Sequence, residues 1–320
     1  MRGNISVWDN ITVNVGIIGN GVQSKRIQKI LKKKNISFFI YKPSKKKNYF
    51  NKEEFEYLKK KKIIFILSPN KSHFDYIKTL SKNRYIFCEK PPVNNFNDLK
   101  QLKKISYKKI YFNFNNRFSK ISEILHLKDE KYNLGKLIYS NIIITHGLAL
   151  KKKDYKKSWR SNQISCPKGV FEVVSIHWID LINYHFNIAK IRQPTLINHS
   201  KIGNSFDTSH IELKLKENGI VNIFTSYNAP LLKKNIFIFE NGIIEMNESS
   251  IVIKGPSLNL DKNNFFKEPK IIKKFDVNEM KDYQLSLEKS CEYFLEIIAK
   301  KKFFKKLIFD SSLRSNSLII

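Results

Sequence analysis

Val13-Asn-Val-Gly-Ile-Ile-Gly19-Asn-Gly21-Val-Gln-Ser24 is the stretch on which the fold turns. A β-branched apolar run passes at once into two glycines, and a helical pattern follows with Ile27, Ile30 and Leu31 on one face and lysines on the other. A glycine turn between a strand and a helix lets the backbone approach a pyrophosphate, while the helix N-terminus supplies positive charge. Gly19, Asn20, Gly21, Val22 and Gln23 are therefore the expected cofactor-binding turn. The third place of the Gly-x-Gly-x-x-Gly pattern holds Ser24, a departure expected to loosen or re-set the packing of helix on strand.

Working outward, strands are expected at 36–41, 63–67, 85–88 and 109–113, with helices at 51–60, 72–82 and 96–105 between them. Such alternation builds βαβ units and a parallel sheet. After about residue 118 the rhythm changes. A helix at 119–128 and a strand at 137–146 lead into a lysine-rich polar loop, then a helix from about Gly169 to Phe186. Alternating runs follow at 209–215, 220–227, 235–240, 242–246 and 250–253, joined twice by Glu-Asn-Gly, a strong hairpin signal. A terminal helix is expected at 288–300. The reading is an α/β N-terminal Rossmann dinucleotide-binding domain at 1–118. An α+β domain with a large, mostly antiparallel open sheet follows at 119–320, its last residues free to pack back on the first domain. With 320 residues, two domains are what length itself favours.

Composition narrows the function. The net charge is +31, from 59 Lys+Arg against 28 Asp+Glu. Charge of that size suggests a nucleic-acid or anionic-surface binder. Only seven of the 59 are arginine, however, and the lysine runs, such as Lys45–Lys47 and Lys151–Lys153, are scattered along the chain. A solvated surface that helps an anionic substrate arrive fits better than a dedicated nucleic-acid site. No apolar run approaches the roughly 18–20 residues of a membrane span. The charged start, Met1–Asn10, lacks the apolar stretch of a secretory signal, and a soluble, cytoplasmic protein is expected. Cys88, Cys166 and Cys291 lie too far apart for a metal-ligand spacing or a disulfide framework, so no metal is expected.

About twenty residues past the glycines, no acidic residue stands to bond the adenosine ribose; Tyr41-Lys42-Pro-Ser44-Lys45 does instead. Lys42 with a nearby hydroxyl suits a 2′-phosphate, so of NAD and NADP the second is slightly favoured. Ser68-Pro69-Asn70-Lys-Ser-His73 and Cys88-Glu89-Lys90-Pro91 follow consecutive parallel strands and line the crevice where such sheets bind ligands. As a side chain, His73 reads as structural for want of a partner, as do His146, His185, His199 and His210.

At Glu89-Lys90-Pro91 the chain resembles the Gfo/Idh/MocA family of glucose–fructose oxidoreductase and inositol dehydrogenase. The resemblance runs through Asn115-Asn-Arg117-Phe, Leu134-Gly-Lys-Leu137, Trp159-Arg160, the helix from Gly169 to Asp180, and the strands beyond, to about Lys302. It implies that Lys90 faces nicotinamide and substrate, that His177 is the catalytic histidine, and that Asn115, Trp159 and Arg160 approach the cofactor. Asn115, Arg117 and Asp180 join Lys90 and His177 around the substrate. The family's aspartate four residues before the histidine is replaced by Val173, with Ser175 two before it and Glu172 about 100° away on an α-helix. A Lys90–His177 pair remains.

What the resemblance implies is an NAD(P)-dependent oxidoreductase moving a hydride to or from a ring hydroxyl or ketone of a sugar, sugar nucleotide or polyol. The missing aspartate keeps open a dinucleotide-binding protein that has lost turnover. A homodimer or homotetramer is expected, formed through an open sheet face carrying Ile223, Phe237 and Phe239.

Overall fold

The computed structural model describes residues 14–43, 52–255 and 260–320. Val13, Ser44, the Lys45–Lys47 run and the start Met1–Asn10 lie outside the described residues. Contacts divide the chain into one unit running to Asn115 and taking in Leu287–Leu318, and a second from Asn116 to Ser286.

In the first unit β1 (Val15–Ile18), α1 (Val22–Lys33), β2 (Phe38–Tyr41), α2 (Lys52–Lys59), β3 (Ile63–Ile66), α3 (His73–Leu80), β4 (Tyr85–Glu89), α4 (Phe96–Leu102) and β5 (Ile110–Asn113) alternate as expected. The sheet order is β2-β1-β3-β4-β5 and every pairing is parallel. Such a sheet is covered on both faces, and β1 and β3 are accordingly apolar and buried along their whole length. Strand order reverses between β1 and β3, and crevices for ligands form at the carboxyl ends of the strands at such a point.

The penultimate helix from Leu287 onward and the last helix complete this unit, residues 279–286 belonging to the second. In α8 (Glu279–Ala299), Leu287, Cys291, Phe294 and Leu295 form one buried stripe. Phe294 packs edge-on to Phe65 and Phe87 and stacks on Phe304. Lys34 pairs with Glu292 at 2.6 Å on the same helix. In α9 (Lys306–Ser317), buried Asn316 accepts from the Val93 amide at 2.9 Å and donates to its carbonyl at 3.0 Å. The sequence reading places 288–300 in a helix but gives no sign of α9, whose apolar residues are too sparse to stand out.

The second unit contains α5 (Lys120–His126), β6 (Leu137–Thr145), α6 (Lys152–Lys157), α7 (Ile176–Phe186), β7 (Ile188–Ile191), β8 (Thr195–Ile197), β9 (Thr208–Leu215), β10 (Ile220–Ser226), β11 (Leu232–Phe239), β12 (Gly242–Met246), β13 (Ser250–Lys254) and β14 (Ile271–Asp276). They make a nine-stranded sheet, β14-β13-β12-β11-β6-β10-β9-β7, with β8 also on β9. Only β6–β10 is parallel among its pairings. Asn218, at φ +65°, sits in the β9–β10 turn, where Asn tolerates the left-handed region. The expected lysine-rich loop in fact holds α6, which Lys151–Lys153 enters.

One expectation about this sheet is reversed. Ile223, Phe237 and Phe239 are buried inside the unit, not presented on its open face. In a strand, successive side chains alternate faces, so the half-exposed face carries their neighbours Phe224, Ile236 and Ile238.

Candidate active site

At Gly19, φ is +98°, and a Cβ there would lie 2.7 Å from the Leu67 carbonyl oxygen. Only glycine fits this position without strain. Gly21 precedes α1 in extended conformation, with no side chain capping the helix and nothing within 4 Å of where its Cβ would stand. The open space lies at the N-terminus of a 12-residue helix whose first amides have no internal partner, so the residues present fit a pyrophosphate. Asn20, Gly21 and Val22 are exposed around it, and Lys42 is exposed at the carboxyl end of β2. Ser24 does not loosen the turn. Its buried hydroxyl donates to the Gly19 carbonyl at 2.8 Å and ties helix to turn.

Glu89 ends β4. Its carboxylate accepts from Gln23 at 3.1 Å and from Asn113 at 2.6 Å, and Asn113 accepts in turn from Ser290 at 2.7 Å. Burial pushes the Glu89 carboxyl above the usual range; Asn113, the charge of Lys90 and Gln23 pull it back. These bonds hold the strand end from which Lys90 projects, beside a cis Lys90–Pro91 peptide. His73 is fully buried, its Nδ1 2.8 Å from the Pro91 carbonyl and its Nε2 2.9 Å from that of Ser68. Burial lowers its pKa, and Lys90 adds to the effect against the pull of the two carbonyls. With a carbonyl oxygen close to each ring nitrogen, one of which accepts its N–H, His73 braces the loops after β3 and β4. Ser68 is likewise turned inward, bonded to Ser72 at 2.7 Å, and Asn70 and Asn115 are buried, whereas Pro69 is exposed.

In the second unit, a cavity of about 220 Å³ is lined by His177 and Trp178 of α7, His146 after β6, Lys233 of β11, and Glu279 and Asp282 of α8. Tyr283 and Ser286 extend the α8 face at i, i+4 and i+7 from Glu279. The helix carrying His177 opens as a π turn, Phe171–Ser175, before α7 begins. Glu172 is buried and does not line the cavity: it accepts from the Lys168 amide at 3.3 Å, while the nearby Cys166 thiol donates to the Gly169 carbonyl at 3.5 Å. Burial, with Glu172 next, raises the Cys166 thiol far above its ordinary value. Asp180 is fully buried and binds Arg117 at two points, 2.8 and 2.6 Å. Arg117 and Asp180 thus pair with each other, and neither is among the residues lining the His177 cavity. Arg160 lies over the Trp159 ring, 4.7 Å from its centre, and its charge reaches Tyr227 and His146. Burial lowers the pKa of His146.

Residues 13–110 match the family model described as an oxidoreductase family with an NAD-binding Rossmann fold, GFO_IDH_MocA. The Rossmann domain belongs to the Gfo/Idh/MocA oxidoreductase family. No curated protein matches the chain. Solved structures of similar fold include levoglucosan dehydrogenase in complex with NADH and levoglucosan. It is 13% identical, with a TM-score of 0.75, and the match covers 96% of each chain. A myo-inositol dehydrogenase from Corynebacterium glutamicum is 14% identical at TM-score 0.69, covering 96% of this chain and 94% of that one. The dehydrogenase MviM from Clostridium difficile is 19% identical at TM-score 0.67, covering 95% and 96%.

In Gfo/Idh/MocA terms, the motif residues of the first unit converge at the carboxyl edge of its sheet, and His177 opens into a cavity of the second. Lys233 and the polar face of α8 escaped the sequence reading, which took His146 as structural. The spacing Glu279-x-x-Asp282-Tyr283-x-x-Ser286 could have shown that face as a polar helical stripe. Lys233 had no signal among so many lysines. Among the described residues, no group of three or more His, Cys, Asp or Glu is placed to hold a metal, and no helix is long and apolar enough to cross a membrane.

Proposed function

We propose that this oxidoreductase moves a hydride to or from a ring hydroxyl or ketone of a sugar, sugar nucleotide or polyol, with Lys90 and His177 as its catalytic residues. The observation that carries the reading is the His177 cavity, where His146, His177, Lys233, Glu279 and Asp282 stand among apolar Ile121, Ile144, Val174 and Met246, a mixture that suits a hydroxyl-bearing ring, in a chain whose Rossmann turn fits a dinucleotide. When bound, the nicotinamide dinucleotide supplies the hydride-transferring ring. The amides of Gly21–Gln23 would hold its pyrophosphate, and exposed Lys42 favours the 2′-phosphate of NADP over the bare diol of NAD.

Oxidation of an alcohol requires that its hydroxyl proton leave as the hydride does. His177 accepts that proton at an imidazole nitrogen in oxidation and returns it in reduction, and the Lys90 ammonium stabilises the negative charge on the reacting oxygen in both directions. Glu89, fixed by Gln23 and Asn113, holds the strand end that carries Lys90. Levoglucosan dehydrogenase and myo-inositol dehydrogenase act on polyhydroxylated rings, as their names state, and this supports the substrate class.

The test is a panel of sugars, sugar nucleotides and inositols assayed with NAD and NADP by nicotinamide absorbance. On the substrate found, Lys90→Ala and His177→Ala should each lower turnover by roughly 10²- to 10⁴-fold, and the double variant should cost little more than the worse single. A second reading, a dinucleotide-binding protein without turnover, is favoured by Val173 in place of a carboxylate. Dinucleotide binding with no turnover across the panel would establish it.

A further inference from the structure

Strand parity puts a lysine where lysines rarely go. In β11 the odd positions face inward, and Lys233 shares that face with Asn235, Phe237 and Phe239, while Leu232 and Lys234 are exposed. The Lys233 side chain retains 11% exposure, and it lines the cavity that holds His177. A buried ammonium is costly unless it is paired and bonded. It has three donors, yet the nearest carboxylate, Glu279, stands 3.5 Å away, and the Trp178 ring centre is at 5.9 Å. Glu279 is itself 35% exposed, so this pair is loose and solvent-screened. Asp282, the other carboxylate of the cavity, accepts from the Lys120 amide at 3.0 Å.

Resting on the oxidoreductase reading, we infer that Lys233 anchors an anionic group of the substrate, a carboxylate or phosphate carried on the sugar away from the reacting carbon. A neutral hydroxyl would add no negative charge to the loose, solvent-screened pair with Glu279. An anion in the cavity forms charge-assisted bonds, shorter and stronger than neutral ones, and releases Glu279 to solvent. The net charge of +31 acts in the same direction at long range, drawing anions to the protein. The anchor therefore selects acidic or phosphorylated sugars over neutral ones.

The experiment is titration calorimetry on the full chain saturated with its preferred dinucleotide, using D-glucuronate, D-glucose 6-phosphate and D-glucose as probes. At least one anionic sugar should bind about tenfold or more tightly than glucose. The stronger arm tells carboxylate from phosphate. Lys233→Met should erase the difference, and Glu279→Gln, which removes the competing carboxylate, should widen it. Were Lys233→Met to misfold, Glu279→Gln would still decide: anion affinity unchanged or weakened there overturns the anchor. Equal binding of all three sugars, indifferent to Lys233→Met, overturns the anchor and leaves the oxidoreductase reading intact. Failure of the dinucleotide-loaded protein to bind either anionic sugar overturns the anchor, while the oxidoreductase reading stands or falls on the absorbance panel.

Discussion

Asp180→Asn separates support from ligand binding at the helix that carries His177. The Arg117 guanidinium and the Asp180 carboxylate form two short bonds, with side chains 6% and 0% exposed, and Arg117 also covers the Tyr184 ring at 4.9 Å. Asparagine keeps the shape but removes the charge and one of two acceptors, leaving a buried guanidinium uncompensated. Breaking one side of such a pair costs about 3–5 kcal/mol. With a urea dependence of about 1–3 kcal/mol per molar, the unfolding midpoint should fall by about 2 M. Trp178 lies two residues from Asp180 and is 5% exposed, so its fluorescence reports the event directly. The double variant Arg117→Met, Asp180→Leu removes both charges and should recover most of the loss, because the pair repays little beyond its own desolvation. If Asp180→Asn cost less than about 0.5 kcal/mol, the size of an ordinary surface change, while KM for the substrate rose, the pair would be a ligand and the reasoning here wrong.

Gly21→Leu should abolish dinucleotide binding by calorimetry while leaving the urea midpoint nearly unchanged, since the new side chain enters open space where the pyrophosphate belongs. Glu172→Gln should change turnover by less than about tenfold, below what an acid–base group contributes, because Glu172 bonds the Lys168 amide and does not line the cavity. His185 is held neutral, its pKa lowered to about 3 by burial and the charges of His126, Arg117 and Lys128, so the unfolded chain takes up the proton first. Stability then rises with pH from about 3 to 6.5 and is lost as pH falls through that window, by about 2–3 kcal/mol at pH 4.5; His185→Gln should flatten the acid limb in urea titrations at pH 4.5 and 7. We further propose that the half-exposed sheet face of Phe224, Ile236 and Ile238 pairs with a second copy. Light scattering should give a dimer or tetramer that Ile238→Glu disrupts, and a monomeric parent at micromolar concentration would rule this out.

The sequence by itself determined the parallel sheet and its glycine turn, because a buried parallel strand reads as an unbroken apolar run and a turn at φ +98° admits only glycine. Local rules of the same kind delivered the hairpins, from Asn-Gly between alternating runs. Tertiary structure alone decided which face of each strand is inward, since a shift of one residue exchanges Phe237 for Ile238 without altering the pattern. It also decided the fate of charged and polar groups. Asp180 finds Arg117 from 63 residues away, and His73 reaches the carbonyl of Pro91 across 18. Lys233, one of many lysines in sequence, becomes a cavity group through its place on β11 opposite β6. Periodicity reports burial of a repeating surface, whereas a site is made of single side chains brought together by long-range pairing, and no local pattern encodes their meeting.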